Sequence, residues 1–351
     1  MLQFRDDSSP PPARLPTSCG EDKFDTRVRV GQHSGLVQPS SHAVLEAQDL
    51  LLVNPAAGGG RAMDVLPRLR EFIKQRGWNV EIRKTQSPDD LAGQAQSAAK
   101  AGRQRILVLG GDGTFQVLLN AVADYPETIL GVIPAGGGND LAAALGLSSD
   151  SLRAAAMLLE GEVRHLDAAR VRTAEGKERL YTGGGGVGLD AEAARYASGA
   201  YRNLRGRGRY LLSAIRALMS FHSISVRAEI VGTEAHSLEA EVLLAAVLNT
   251  PSYGAGVCLA PDARIDDGKL DLVLLEDLRA SEILGLLPVL ATHGELHTRR
   301  VCRIRVERVR IETETPCWFH GDGELVGKTP VEISVVPRAI RILQPARKVE
   351  S

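Results

Sequence analysis

The residues best suited to chemistry lie in Arg105-Ile-Leu-Val-Leu-Gly-Gly-Asp-Gly-Thr-Phe-Gln-Val-Leu-Leu-Asn120. Ile106–Leu109 reads as a buried strand, and the apolar spacing of Phe115, Val117, Leu118, Ala121 and Val122 predicts a helix starting near Thr114. Between them, Gly110-Gly111-Asp112-Gly113 lets backbone N–H groups approach an anion at a helix N-terminus, as phosphate sites require. Asp112 does not fit a bare phosphate site. A carboxylate about 4 Å from a phosphate is repelled by roughly 4 kcal/mol at an effective dielectric near 20. A divalent cation between them removes the conflict, and Mg²⁺ is the usual partner of both. The competing reading is an Asp-Gly turn with an N-cap.

Two further stretches repeat the strand–glycine loop–helix plan. Leu50-Leu-Leu-Val-Asn-Pro-Ala-Ala-Gly-Gly-Gly-Arg61 precedes a helical pattern through Val65, Leu66, Leu69, Phe72 and Ile73. Ile129-Leu-Gly-Val-Ile runs into Pro134-Ala-Gly-Gly-Gly-Asn-Asp140 and a helix from Leu141. Trp78–Arg83 reads as another strand, followed by Thr85 and a helix from about Pro88. Strands alternating with helices predict a parallel sheet with right-handed crossovers. All three glycine loops follow strands, so they gather at the carboxyl edge, where open sheets bind ligands.

From about Leu166 strand-like runs dominate: Ala168–Arg172, Val226–Val231, Glu241–Leu248, Leu270–Leu275, Val301–Ile311 and Val331–Val336. Asp267-Gly268 and Gly321-Asp322-Gly323 mark turns between them, and helices are expected around Ala191–Met219 and Ala280–His297. The fold class is therefore an α/β nucleotide-binding domain with a parallel sheet, plus a second β-rich, sandwich-like domain. A length of 351 residues suits two cores. Residues 1–46, rich in Pro, Ser, Asp and Gly, read as a disordered tail.

Net charge is −1, so bulk charge argues for neither nucleic acid nor membrane. The four cysteines show no metal or disulfide spacing, which suits a reducing cytoplasm. The N-terminus lacks the pattern of a secretion signal, and no stretch approaches the roughly 18 apolar residues of a membrane span, so a soluble protein is expected. One local patch stands out. Between Glu192 and Glu229 there is no acid, while Arg195, Arg202, Arg205, Arg207, Arg209, Arg216 and Arg227 are all present. It is either a solvated basic face or a contact for anionic headgroups, at about 1 kcal/mol per basic residue.

Three other patterns are set aside. Gly183, Gly185 and Gly188 satisfy the spacing of a dinucleotide fingerprint, yet the acidic residue needed about 20 positions later is missing. Gly327-Lys328-Thr329 ends like a phosphate loop but runs into a strand, and His293 and His297 do not form H-E-x-x-H.

Taken in order, Val53-Asn-Pro-Ala-Ala-Gly-Gly-Gly, Gly110-Gly-Asp-Gly-Thr114, Ile133-Pro-Ala-Gly-Gly-Gly-Asn-Asp-Leu-Ala142, Cys258 to Asp271 and Asp322-Gly-Glu324 resemble the diacylglycerol kinase catalytic family, which includes sphingosine kinases and bacterial lipid kinases. The resemblance covers roughly residues 48–345. Gly-Gly-Asp-Gly-Thr alone is shared with NAD kinases and phosphofructokinase-like enzymes; the ordered set is more specific.

The resemblance implies an ATP-dependent lipid kinase, most simply one acting on diacylglycerol, with ATP and Mg²⁺ as cofactors. It sends the last segment, Val336–Leu343, back to the first domain. The domains become 47–165 plus 336–347 for ATP and 166–335 for the lipid substrate. Asn54, Thr85, Gly110, Gly111, Asp112, Gly113, Thr114, Phe115, Gln116, Gly137, Asn139 and Asp140 would line the nucleotide. Gly137 departs from the family, which often has Thr there. Glu324 resembles the general base; a carboxylate accepting an alcohol proton contributes about 10²- to 10⁴-fold. Asp112 would hold the catalytic cation. Asp267, with the carbonyls of Arg264 and Lys269, resembles a second cation site, or is simply a hairpin turn.

The partners expected are a lipid alcohol at a membrane surface and an anionic membrane contact, with a homodimer left open and nucleic acid excluded. The rival readings are an NAD kinase-like enzyme and a non-catalytic nucleotide or lipid sensor.

Overall fold

The computed structural model describes residues 3–4, 48–198, 213, 216–217, 223–231, 236–253, 257–278 and 300–346. Strand β1 (Gln3–Phe4) is followed by β2 (Asp49–Val53), α1 (Arg61–Gln75), β3 (Val80–Lys84), α2 (Pro88–Lys100), β4 (Arg105–Gly110), α3 (Asp112–Ala121), β5 (Ile129–Pro134), α4 (Asp140–Ala144) and α5 (Ser151–Leu159). Strands β3, β2, β4 and β5 lie side by side and parallel. Their apolar runs are buried, and Leu50, Leu52, Ile106, Val108, Leu66, Leu69, Phe115 and Leu118 share one core. Burying a Leu or Phe side chain contributes about 1.5–3 kcal/mol. Helix α2 starts where the sequence predicts, with Pro88 in its first turn and the Ser87 hydroxyl accepting from the Asp90 N–H.

The second half contains β6 (Glu162–Thr173), β7 (Glu178–Tyr181), β8 (Gly184–Gly188), α6 (Leu189–Ser198), β9 (Ile224–Ile230), β10 (His236–Leu248), β11 (Ser252–Tyr253), β12 (Val257–Cys258), β13 (Leu270–Glu276), β14 (Val301–Val306), β15 (Arg308–Thr313), β16 (Trp318–Gly321), β17 (Glu324–Lys328) and β18 (Val331–Gln344). Strand β10 changes partners at an irregularity between Val242 and Leu244: its first half pairs with β9, its second with β8 and β13. This bend folds the sheet over a second core of Val187, Val247, Leu272, Ile311, Phe319 and Ile333. The predicted sandwich-like domain is present.

Several expectations are revised. The run Val301–Ile311 is two strands broken at Glu307, because β14 pairs with β13 whereas β15 pairs with β9 and β18. Within the tail read as disordered, Gln3 and Phe4 add a short strand to β10 opposite Glu239 and Leu238, on the edge that β13 leaves open. The helix expected near Ala191–Met219 begins as α6; the one near Ala280–His297 lies outside the described residues. Arg202, Arg205, Arg207 and Arg209 also lie outside them, while Arg195 pairs with Glu192 and Arg227 with Glu229. Among the described residues no helix is long and apolar enough to cross a membrane.

The joint between the halves is continuous sheet. Strands β6 and β18 are each continuous through it and pair antiparallel from Val331↔Thr173 to Gln344↔Glu162, with one irregularity between Val336 and Ile340. Near Ile129 β18 runs parallel to β5, and near Ser334 it runs antiparallel to β15, so one sheet serves both halves. Asp167, 2 % exposed, holds the irregularity: its carboxylate accepts from Arg338 N–H at 2.7 Å and Gly268 N–H at 2.6 Å. Arg338 lies in the left-handed region, φ 54°. Asp167→Ala strands both N–H groups at a cost of about 2–4 kcal/mol. Urea denaturation followed through Trp78 in the first domain will show the loss; an unchanged midpoint would deny Asp167 this role.

Candidate active site

The carboxyl ends of β2, β3, β4 and β5 bring most of the sequence-predicted residues together. Asn54, just after β2, donates from Nδ2 to Thr114 Oγ1 at 2.9 Å, and its Oδ1 accepts from Ala56 N–H. Thr85, just after β3, donates its hydroxyl to Val53 O at 3.1 Å. The loops after β4 and β5 touch backbone to backbone: a Cβ on Gly136 would lie 2.5 Å from the Gly111 Cα. Any side chain at either position drives the loops apart. A Cβ on Gly113, in the first turn of α3, would meet nothing within 4 Å, so the helix N-terminus faces open space. Its free N–H groups suit an anion there.

Asp112 combines the two readings left open by the sequence. Its carboxylate accepts from Asn139 N–H at 2.8 Å and Leu141 N–H at 3.1 Å, so it caps α4 instead of its own helix. Asn139 adopts φ 64°, and its Oδ1 accepts from Gly136 N–H. Two expected nucleotide-lining side chains point elsewhere. Phe115 is wholly buried in the core, and buried Gln116 donates from Nε2 to Gly321 O at 2.9 Å. The sequence gives no sign of Gln116 as a tie, since its partner is 205 residues away.

That tie leads to the second half of the site. Strands β16 and β17 join through Asp322 and Gly323, at φ 47° and 85°. Positive φ at both central residues marks the type I′ hairpin turn that Asp-Gly favours. The Asp322 carboxylate turns inward and accepts from Thr182, Gly183 and Gly184 N–H at 2.9–3.0 Å and from the Thr182 hydroxyl. The glycine run read above as a false dinucleotide fingerprint is therefore strand β8 and its approach, which grip a carboxylate. Burial pushes the Asp322 pKa from 3.8 up to about 6 despite these N–H bonds, with the nearby Asp112 charge adding to the rise.

Glu324 opens β17 directly after the turn. Burial raises its pKa, opposed by Arg179, whose guanidinium lies 3.7 Å away. A raised carboxylate is a better proton acceptor near neutral pH. A second tie crosses the halves where Ser252 Oγ donates to Asp140 Oδ1 at 3.1 Å. Sequence reasoning missed Arg179, Ser252, Tyr253 and His320, because each matters only through partners distant in the chain.

For a cation, Asp112 has one lone pair left on each oxygen after its two N–H bonds. Among the described residues no three His, Cys, Asp or Glu side chains cluster as a cage. Asp112 thus fits Mg²⁺ held jointly with phosphate oxygens, the usual arrangement for that ion. The second cation site implied by the resemblance lies in a network of charged side chains. Asp267 accepts from Lys269 N–H and pairs with the Arg305 guanidinium, Lys269 pairs with Glu307, and Arg264 is exposed. The Arg305 guanidinium thus stands beside the carboxylate to which the resemblance assigns a cation.

Asp322 gives a pH-dependent prediction. A carboxyl with a higher pKa folded than unfolded takes up its proton first in the folded state, so stability falls as pH rises from 3.8 to about 6. Asp322→Asn should remove that descending segment from unfolding free energies measured across this range. An unchanged slope would mean that Asp322 titrates normally.

Comparison with known proteins agrees with this geometry. Residues 48–171 match the diacylglycerol kinase catalytic domain, and residues 183–344 match the YegS C-terminal NAD kinase beta sandwich-like domain. The diacylglycerol kinase of Mycobacterium tuberculosis H37Rv is 30% identical over 297 residues, spanning 84% of this chain and 94% of that protein. That of Bacillus subtilis is 27% identical over 302 residues, spanning 86% and 97%. A diacylglycerol kinase structure from Bacillus anthracis shares the fold, with a TM-score of 0.65 and 20% identity over 85% of this chain and 97% of that one. The chain belongs to the diacylglycerol kinase family and is a kinase.

Proposed function

We propose that this enzyme transfers the γ-phosphoryl group of ATP to the hydroxyl of a lipid alcohol, with diacylglycerol as the preferred acceptor and phosphatidic acid as the product. The observation that carries the reading is the 2.9 Å bond from Gln116 to Gly321 O. One helical turn before Gln116 lies Asp112, and just beyond Gly321 lies the turn leading to Glu324. The bond therefore holds the glycine-loop side of the site against its proton-accepting side.

In this reading the open first turn of α3, at Gly110–Gly113, binds phosphates through backbone N–H groups, with the Gly136–Asp140 loop packed beside it. Glu324 accepts the hydroxyl proton as the oxygen attacks phosphorus, and the bond to the leaving diphosphate oxygen breaks in line. Arg179 keeps Glu324 ionised and aimed. Mg²⁺, held by Asp112 with phosphate oxygens, would neutralise charge developing on the transferred group. The absence of a Thr hydroxyl at Gly137 leaves phosphate contact there to backbone. Among the described residues Cys302 and Cys317 are free thiols, in keeping with a cytoplasmic enzyme, and a peripheral contact with an anionic membrane completes the reading.

Incubation with labelled ATP, Mg²⁺ and a total lipid extract should label a lipid, and NAD should not compete as acceptor. Glu324→Gln should lower turnover by about 10²- to 10⁴-fold with ATP binding retained. Full turnover in that variant, or labelling of NAD above every lipid, would end this reading.

A further inference from the structure

We infer that His320 and Tyr253 are positioning residues, which set the Glu324 turn in register with the Asp140 loop; this rests on the function proposed above. His320 is 5 % exposed, next to the end of β16. Its Nδ1 accepts from Gly323 N–H at 3.3 Å, and its Nε2 lies 2.6 Å from the Tyr253 hydroxyl oxygen. An N–H can only donate, so the ring proton belongs on Nε2 and is given to Tyr253. The two rings stack, with centroids 5.8 Å apart and an interplanar angle of 18°.

Tyr253 is also joined to the other half of the site. Its neighbour in β11, Ser252, donates to Asp140 Oδ1, and Asp140 begins the helix that Asp112 caps. A continuous path thus runs from the glycine loop at Asp140 through Ser252, Tyr253 and His320 to Gly323, the residue before Glu324. Gln116 holds the turn from one side, and this path holds it from the other.

The glycines of β8 lie against the same segments. A Cβ on Gly184 would lie 2.6 Å from Tyr253 Cδ2, and one on Gly185 would lie 2.5 Å from His320 O. Glycine inside a strand weakens it, and its usual justification is a close approach by another group. Here the approaching groups are the Leu248 and Tyr253 side chains at Gly184, and the His320 carbonyl and Phe319 ring at Gly185. A residue that only filled space at 320 would need no acceptor facing Gly323 N–H; the Nδ1 bond is what transmits position to Glu324.

The amide substitutions separate the two ring nitrogens. In His320→Asn the side-chain oxygen replaces Nδ1 and keeps an acceptor for Gly323; in His320→Gln the amide reaches toward Tyr253 and that acceptor is lost. Steady-state kinetics with ATP and dispersed short-chain diacylglycerol should give a kcat for His320→Gln reduced roughly 10- to 100-fold, the scale of a misplacement of about 1 Å, with KM for ATP nearly unchanged. His320→Asn should recover most of that loss. Tyr253→Phe, a milder change that keeps the ring, should lower kcat roughly 3- to 10-fold.

Equal losses in the two His320 variants, or losses that follow melting temperature alone, would reduce His320 to packing and overturn the inference. So would wild-type kcat in all three variants. Glu324→Gln measured alongside separates the two levels: if it stays active the proposed mechanism fails, and if it is inactive while the His320 and Tyr253 variants are normal, only the positioning role fails.

Discussion

The constraint on which this molecule depends is that its two halves share backbone. Strands β6 and β18 pair along nearly their whole length and pass from one core to the other without a linker. A hinge in such a ladder requires breaking hydrogen bonds between strands, whereas a hinge in a loop does not. The site lies beside this joint, so its two sides inherit a nearly fixed separation. Asp167 explains how the ladder survives the turn between domains, since its buried carboxylate takes the N–H groups that the irregularity at Arg338 and the Gly268 turn would leave unpaired.

The site itself is built from carboxylates with different surroundings. Asp112 accepts from backbone N–H groups at the start of α4 and so ties the two glycine loops together. Asp322 receives similar bonds but lies deeper, and burial outweighs them. Glu324 is only partly enclosed and has one arginine partner. The three acids thus have different surroundings: one joins the glycine loops, one anchors the hairpin turn, and one is partly exposed with its proton affinity raised.

Membership of the diacylglycerol kinase family accounts for the order of the motifs, but the geometry explains their chemistry. The glycines serve at least two purposes. Gly111 and Gly136 let two loops meet, whereas Gly184 and Gly185 make room for the Leu248, Tyr253 and Phe319 side chains and the His320 carbonyl. A spacing rule applied to the glycines of β8 pointed toward a dinucleotide, and the missing acid excluded it. What the glycines admit is protein.

The sequence by itself determined the local elements and the side of the sheet on which ligands gather. Apolar runs such as Ile106–Leu109 could only be buried strands, and glycines following each of them placed the loops at one edge. Turn chemistry was equally readable at Asp322-Gly323, since few other pairs tolerate two positive φ values. Resemblance supplied the roles of Asp112 and Glu324, and the structure alone decided their partners. That Asp112 caps a helix 28 residues later, that Gln116 reaches Gly321, that Arg305 holds Asp267, and that Tyr253 stacks on His320 all depend on contacts between distant segments. Periodicity reports how a residue relates to its near neighbours in the chain. A hydrogen bond across domains depends on where two elements come to rest, which only packing of both cores settles.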